Sequence, residues 1–452
     1  MPGRAHTKGS QMAAGTNIVG NIFKIPELRR RVIFTLLMVL IVRVGAYIPV
    51  PGINPVALER LFTQTSGGLL GFLDLFAGGA LSRFTVFALG IMPYISASII
   101  MQLLTVVIPA LERLSKEGEV GRKKIQQISR FATVAIASVQ AYALTVFMKS
   151  RPEVIVNPGI GFTINAIVAI TAGTIFLMWI GEQITERGIG NGISLIIFIG
   201  IVARIPVAFR QVYDQLKIGE LNPIILIVSF GIFIGIIAFV ILEQQGQRRI
   251  PIQHAKKVIG RKVYSAQATY LPLKINPSGV IPIIFASSLL LFPAQIAQTL
   301  GARVPALERL AVLLSPGNAL YLVLYALLII FFTYFYTQIQ LNPIDIADNL
   351  KKVGGYIPGI RPGVNTSTYL QKVLNRIVLP GSIFLALIAL IPTIIQRWLG
   401  LPPEMAYLMG GTSLLIMVGV DLDTMKQIES HLLMRHYDGF MKKGGKIRGR
   451  NL

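Results

Sequence analysis

Ten stretches of this chain run for about 20 residues with few or no charges, and that recurrence constrains the fold more than any other feature. They lie at about 32–50, 84–108, 128–148, 162–181, 189–209, 221–242, 278–298, 318–338, 374–396 and 405–421. A helix of about 20 residues crosses a hydrocarbon core of roughly 30 Å. Inside that core the backbone must satisfy its own hydrogen bonds, which helices do within one segment. The expected fold class is therefore an all-α polytopic membrane protein with ten transmembrane helices. A composition that is 53% hydrophobic and only 14% charged fits that class.

The charge distribution orients these helices. Net charge is +23, and of the 43 Lys and Arg about 32 lie in the N-terminal tail, the even-to-odd loops and the C-terminal tail, against about 10 on the opposite side. Cytoplasmic loops carry the basic excess, so both termini are expected in the cytoplasm, as an even number of spans also requires. The first apolar run follows Arg29, Arg30 and Arg31 and ends in AYIPVPG without a small-residue cleavage site, so it reads as a retained span rather than a signal peptide. Residues 1–20 are polar and Gly-rich and read as a disordered extension. NIFKIPELRRR (21–31) suits a short interfacial helix.

Three loops stand out. LLGFLDLFAGG (69–79), in the first external loop, is apolar but too short to span, and a re-entrant half-helix is expected. The loops at 243–276 and 345–363 are long and basic, and within the first, segments such as RRIPIQ and KVYSAQ alternate in a way that suits a hairpin. The pattern G-x-x-P-x-I-x-A-S occurs at Gly90, Pro93, Ile95, Ala97 and Ser98 and again at Gly279, Pro282, Ile284, Ala286 and Ser287. The copies sit second in each group of five spans. Five is odd, so the two halves would insert with opposite topology, with a functional interface where they meet. The domains expected are an extension over 1–20, halves over 21–215 and 216–421, and a basic cytoplasmic tail over 422–452.

Several chemistries lack their residues. The sequence has no cysteine, and His6, His254, His431 and His436 lie outside the spans without metal-ligand spacing, so no metal or cofactor is expected. No G-x-x-x-x-G-K-[ST] phosphate loop is present and no span holds a histidine to activate a nucleophile, so no enzyme is expected. RGIGNGIS (187–194) joins two spans and reads as a tight turn. Gly231 and Gly235 form a G-x-x-x-G pair read as helix packing. Ion-coupled transport normally displays ionisable groups within the spans. Here Glu182, Glu186, Asp421 and Asp423 fall at helix ends, where solvent access explains them. The inverted repeat alone still allows a secondary transporter of a small solute.

The spans offer branched, uncharged residues instead. Ile91 and Ile95 are four apart, on one helical face that continues through Ser98 to Gln102; Ile284 matches Ile95 in the repeat, and Ile193 and Ile197 are again four apart. Isoleucine at this spacing ordinarily faces lipid or core, but its polar continuation also suits a constriction opening into a wet vestibule, which would gate by dewetting.

The motifs IPVPGIN (48–54), GGALSRF (78–84), GIMPYISASIIMQLL (90–104), EGEVGRKKI (117–125), MWIGEQITERGIGNGIS (178–194), LPLKINPSGVIPIIFASSLLLFP (271–293), ADNLKKVGGYIPGIRPG (347–363) and GGTSLLI (410–416) resemble those of the SecY family, channel subunits of the bacterial Sec protein translocase. The resemblance covers about residues 21–440. It implies a clam-shell of two five-helix halves around an hourglass pore that passes unfolded secretory polypeptides and releases membrane helices sideways. On it, the pore ring falls on Ile91, Ile95, Ile193, Ile197, Ile284 and Ile416. The plug falls on about 67–78, with Leu69, Leu70, Phe72, Leu73, Leu75 and Phe76. The lateral gate lies between spans two and seven, against three and eight, with Pro93, Ser96, Gln102, Ser287, Ser288 and Phe292. Docking falls on Arg248, Arg249, Lys256, Lys257, Arg261, Lys262, Lys351, Lys352 and above all Arg361. Implied partners are SecE and SecG, the SecA ATPase, the ribosome through its RNA, signal sequences and nascent chains, anionic lipids, and SecDF and YidC. The implied location is the cytoplasmic membrane. Gly90 and Pro93 are expected to loosen a gate helix.

Overall fold

A computed structural model describes residues 25–442 except 66–68, 152, 220, 255–256, 260–261, 265–267, 301–308, 310–311, 316–317, 403–404, 407 and 409. The expectations for residues 1–20, the last ten residues, Lys256 and Arg261 lie outside these, as do the side chains of Leu69, Phe72, Lys257, Lys262 and Phe292. The chain is mostly helical: α1 Pro26–Gly45, α2 Pro55–Thr65, α3 Leu69–Phe76, α4 Met92–Val107, α5 Pro109–Lys116, α6 Glu119–Lys149, α7 Ile160–Arg187, α8 Gly192–Val202, α9 Ile205–Ile218, α10 Pro223–Gln245, α11 Ile281–Leu300, α12 Ala319–Gln340, α13 Pro343–Lys352, α14 Val364–Leu399 and α15 Gly411–Lys442. Among the described residues six helices are long and apolar enough to cross a membrane, or seven if α4 and α5, bent by 100° at Ile108, are one span. The remaining expected spans fall on α1, α11 and α15, so ten crossings are compatible with these helices.

Local sequence explains the helix starts. Asn191, Asn222 and Asn342 each accept backbone N–H bonds at the start of α8, α10 and α13, the last two followed by proline at the first helical position. In the RGIGNGIS turn Gly190 has φ +83° and donates to Gln427 of α15 at 2.8 Å, while Arg31 and Thr35 of α1 bond to Gly188 and Ile189. The tight-turn reading holds.

Span two departs from expectation. The helix begins only at Met92, and residues 84–91 are a run of turns, with Phe84 at φ +46° and Gly90 at φ +56°. Irregular backbone at membrane depth survives only when buried in protein, and Thr85, Phe87, Ala88 and Ile91 are all buried. Close packing comes from Gly45 and Gly173. A Cβ on Gly45 would overlap the Phe87 ring, and one on Gly173 would meet the Val86 carbonyl oxygen. Pro93 consequently lies in the first turn of α4, where proline is favoured rather than loosening. The second copy of the repeat behaves alike: Gly279 has φ +61° and α11 begins two residues later with Pro282 in its first turn. Of the helices carrying the two copies, the interior proline belongs to α11, at Pro293. Span five also breaks, at Ala203–Arg204 between α8 and α9.

The packing repeats as the sequence does. In the first five spans α4 packs on α6, α6 on α7, α7 on α8, and α1 on α7 and α8. In the last five α11 packs on α12, α12 on α14, α14 on α15, and α10 on α14 and α15. Each contact has its counterpart. The two groups touch along α8–α15 on one side and α11–α4 and α11–α6 on the other.

Five strands extend the fold beyond helices: β1 Gln247–His254, β2 Lys257–Ile259, β3 Lys262–Tyr264, β4 Ala268–Lys274 and β5 Gly355–Tyr356. The expected hairpin pairs differently. RRIPIQ belongs to β1, whose antiparallel partner is β4, Ile250 opposite Leu271, while KVYSAQ begins with β3, which pairs with β2. The alternation in ATYLPLK matches that of β1 and puts Ile250, Ile252 and Leu273 in a buried face, and this burial selects the longer pairing. β1 also pairs with β5, so the order β4-β1-β5 joins both basic loops in one sheet.

Candidate functional site: a plugged apolar constriction

The six isoleucines come from four helices that share one apolar core. Ile91 caps the N-terminus of α4 and Ile95 follows one turn on; Ile193 and Ile197 come from α8, Ile284 from α11 and Ile416 from α15. Ile91, Ile95, Ile197 and Ile416 are buried in one contiguous apolar cluster, with Ile193 and Ile284 half-buried against it. Leu75 and Phe76 of α3 belong to the same cluster, so the short helix packs into the same apolar core as the isoleucines. Leu73 packs against this cluster and against a second one, where Leu70 lies with Leu58, Phe62, Leu81 and Phe84. The half-helix expected at 69–79 is thus an eight-residue helix docked on α8 and α2.

One residue of α3 escaped the sequence reading. Asp74 is 1% exposed; its Oδ1 accepts from the Ser82 backbone N–H at 2.8 Å and its Oδ2 lies 2.8 Å from Nη2 of Arg204. Each partner stands alone in the sequence, Asp74 as a lone acid in an apolar eight-residue segment and Arg204 as a lone base within an apolar run. Arg43, in the last turn of α1, donates to the Gly78 carbonyl at 3.3 Å, so it also serves this segment.

The interface between α4 and α11 carries the expected gate residues unevenly. Pro93, Ser287 and Ser288 are buried, Ser96 is half-buried and Gln102 is exposed. Ser287 donates to its own helix at the Ile284 carbonyl, and the buried Ser288 hydroxyl has no partner among the described residues. Phe285 meets Phe332 and Tyr336 of α12 edge-on, tying span seven to span eight.

Of the helix-end acids, Glu186, Asp421 and Asp423 are exposed as expected. Glu182 is not: 9% exposed, it receives Nε and Nη2 of Arg130 at 3.0 and 2.7 Å and Gln126 at 3.0 Å. This fork braces α6 against α7. Gly231 and Gly235 face open space, so no described part of this chain packs on them.

On the basic loops Arg248, Arg249, Lys351, Lys352 and Arg361 are all exposed. Ile250, Leu273 and Ile357 form a small core with Leu370, Leu374 and Ile377 of α14, which seats the sheet on that helix.

The fold defines a class: a multi-pass α-helical membrane protein with a large shared apolar core, against which a short apolar helix is packed. The SecY family model matches residues 85–425, and the chain belongs to that family. It is 48% identical over 439 residues to the protein translocase subunit SecY of Thermotoga maritima, covering 95% of this chain and 98% of that one. It is 46% identical over 428 residues to that of Aquifex aeolicus, covering 93% and 98%. A solved structure described as "The structure of a protein conducting channel" shares the fold with a TM-score of 0.64 at 19% identity, over 92% of this chain and 97% of the other. Another, of Sec61 in a canine ribosome-channel complex, gives 0.61 at 18% identity, with the same coverage. The solute-transporter reading is not favoured.

Proposed function

We propose that this chain is a protein-conducting channel of the cytoplasmic membrane, passing unfolded secretory polypeptides across it and releasing membrane-protein helices sideways into lipid. Ten spans in two inverted halves, 21–215 and 216–421, keep both termini cytoplasmic. One observation carries the reading. Ile91, Ile95, Ile197 and Ile416 share one buried cluster with Leu75 and Phe76 of α3, Ile193 and Ile284 pack against it, and a channel for arbitrary sequences needs such a seal. Strong hydrogen-bonding groups there would hold some chains and stall them, whereas branched apolar side chains exclude hydrated ions and release what passes. α3 is the plug, the α4–α11 contact is the lateral gate, and the β4-β1-β5 sheet with Arg361 is the docking surface for the SecA motor or the ribosome. SecE and SecG complete the assembly, with SecDF and YidC as further associates. Part of the basic charge meets anionic lipid, and the rest meets RNA phosphate, with an affinity that falls steeply with salt.

Planar-bilayer recording of the purified chain with its co-purifying subunits tests this. Ile284→Asn, a polar group in the seal, leaves the resting channel leaky to ions and lets substrates with poor signal sequences through; unchanged resting conductance would sink the reading.

A further inference from the structure

Leu75 and Phe76 of α3 point into the seal, while Asp74 lies against a cavity of about 700 Å³ on the external side. Tyr47, Glu59, Ser82, Arg83 and Arg204 line that cavity together with Asp74. The helix thus faces grease on one side and charge on the other. Its apolar contacts are non-directional and give way gradually, whereas a buried ion pair holds one geometry and separating it in a low dielectric is costly. Asp74 and Arg204 are 1% and 12% exposed at 2.8 Å, and Arg204 stands at the break between α8 and α9, where it caps α9.

From this geometry, and resting on the channel reading above, we propose that the Asp74–Arg204 pair is the latch that holds the plug shut and sets how strict the channel is about its substrates. The second position of the latch is Arg83. Its guanidinium stacks 4.1 Å from the Tyr47 ring on the cavity wall. Arg204 and Arg83 flank the same point of the chain: a side chain placed on Gly79 would meet Nη1 of the first at 3.4 Å and Nη1 of the second at 3.6 Å. Gly78 and Gly79, at φ +64° and +85°, form the turn on which α3 swings. When the plug leaves, the carboxylate passes from Arg204 to Arg83 across the wet cavity without being stranded. Arg204 therefore favours the closed state and Arg83 the open one.

The test uses the full chain with its co-purifying subunits in planar bilayers, and in vesicles with a substrate whose signal sequence is defective. Asp74→Asn and Arg204→Gln raise the open fraction and the passage of that substrate by roughly tenfold or more, the scale on which loss of one partner of a buried pair shifts a two-state balance. Arg83→Gln lowers both several-fold. The swapped double variant Asp74→Arg with Arg204→Asp returns both toward wild type, which a variant that merely misfolds would not do. A channel as tight with Asp74→Asn as without it, a folded swap that stays open, or Arg83→Gln opening the channel as Arg204→Gln does would each overturn the latch. Deleting residues 69–76 separates this from the parent reading: if that deletion leaks while Asp74→Asn does not, the latch fails alone, and if the deletion stays tight, the plug itself is wrong.

Discussion

Glu182 keeps its carboxylate inside the protein near the C-terminal end of α7, where the Arg130 fork and Gln126 replace water. Removing one partner of a buried pair strands the other, but Arg130 is 43% exposed and solvent recovers part of that cost. Glu182→Gln is expected to lower stability by roughly 2 kcal/mol, read as a lower melting midpoint in detergent. Glu182→Asp, which keeps the charge but shortens the reach, loses less. Neither the Arg130–Glu182 nor the Asp74–Arg204 contact was legible in sequence, because their partners are 52 and 130 positions apart and no local pattern joins them. The isoleucines were legible as a candidate ring through the resemblance, and spacing alone left them as readily lipid-facing. The structure adds that all six lie in or against one apolar core.

Segment 84–91 and α4 show where hydropathy reaches its limit as an element-scale signal. An apolar run reports burial, not helicity, and the run at 84–108 contains both a turn segment sheltered by Gly45 and Gly173 and a helix of 16 residues. Gly90 and Pro93 carried the clue: glycine where φ must be positive, then proline in the first helical turn, the same order as Gly279 and Pro282. The elements along most other runs agreed with the sequence, since long apolar stretches such as α7, α10 and α12 have one way to satisfy their backbones in lipid. Strand pairing in the loop did not, because alternation fixes which face is buried but not which of two strands answers it. Gly173→Ala puts a methyl group against the Val86 carbonyl and is expected to cost about 3 kcal/mol, at the upper end for overpacking. The loss would appear as reduced thermal stability together with raised protease sensitivity at 84–91, whereas Gly231→Ala, in open space, leaves both unchanged.

Across the whole molecule the contacts of the first five spans recur in the last five, and the two groups meet along α8–α15 and along α11 with α4 and α6. Arg361 stands outside this frame, exposed on the loop that follows β5, with its carbonyl accepting from Thr366 at 3.0 Å. Reversing its charge disturbs no buried partner among the described residues. Arg361→Glu is therefore expected to leave yield and melting unchanged while abolishing motor-driven translocation in vesicles; normal transport by that variant would remove it from the docking surface.

The sheet has a mechanical consequence. β1 leaves α10 directly at Gln247, β4 ends at Lys274 only a few residues before α11 begins at Ile281, and β5 arrives from the loop that leads into α14. A force applied to that sheet at a single point would reach three separate helices through one hydrogen-bonded plate, among them α11, and with it Ile284.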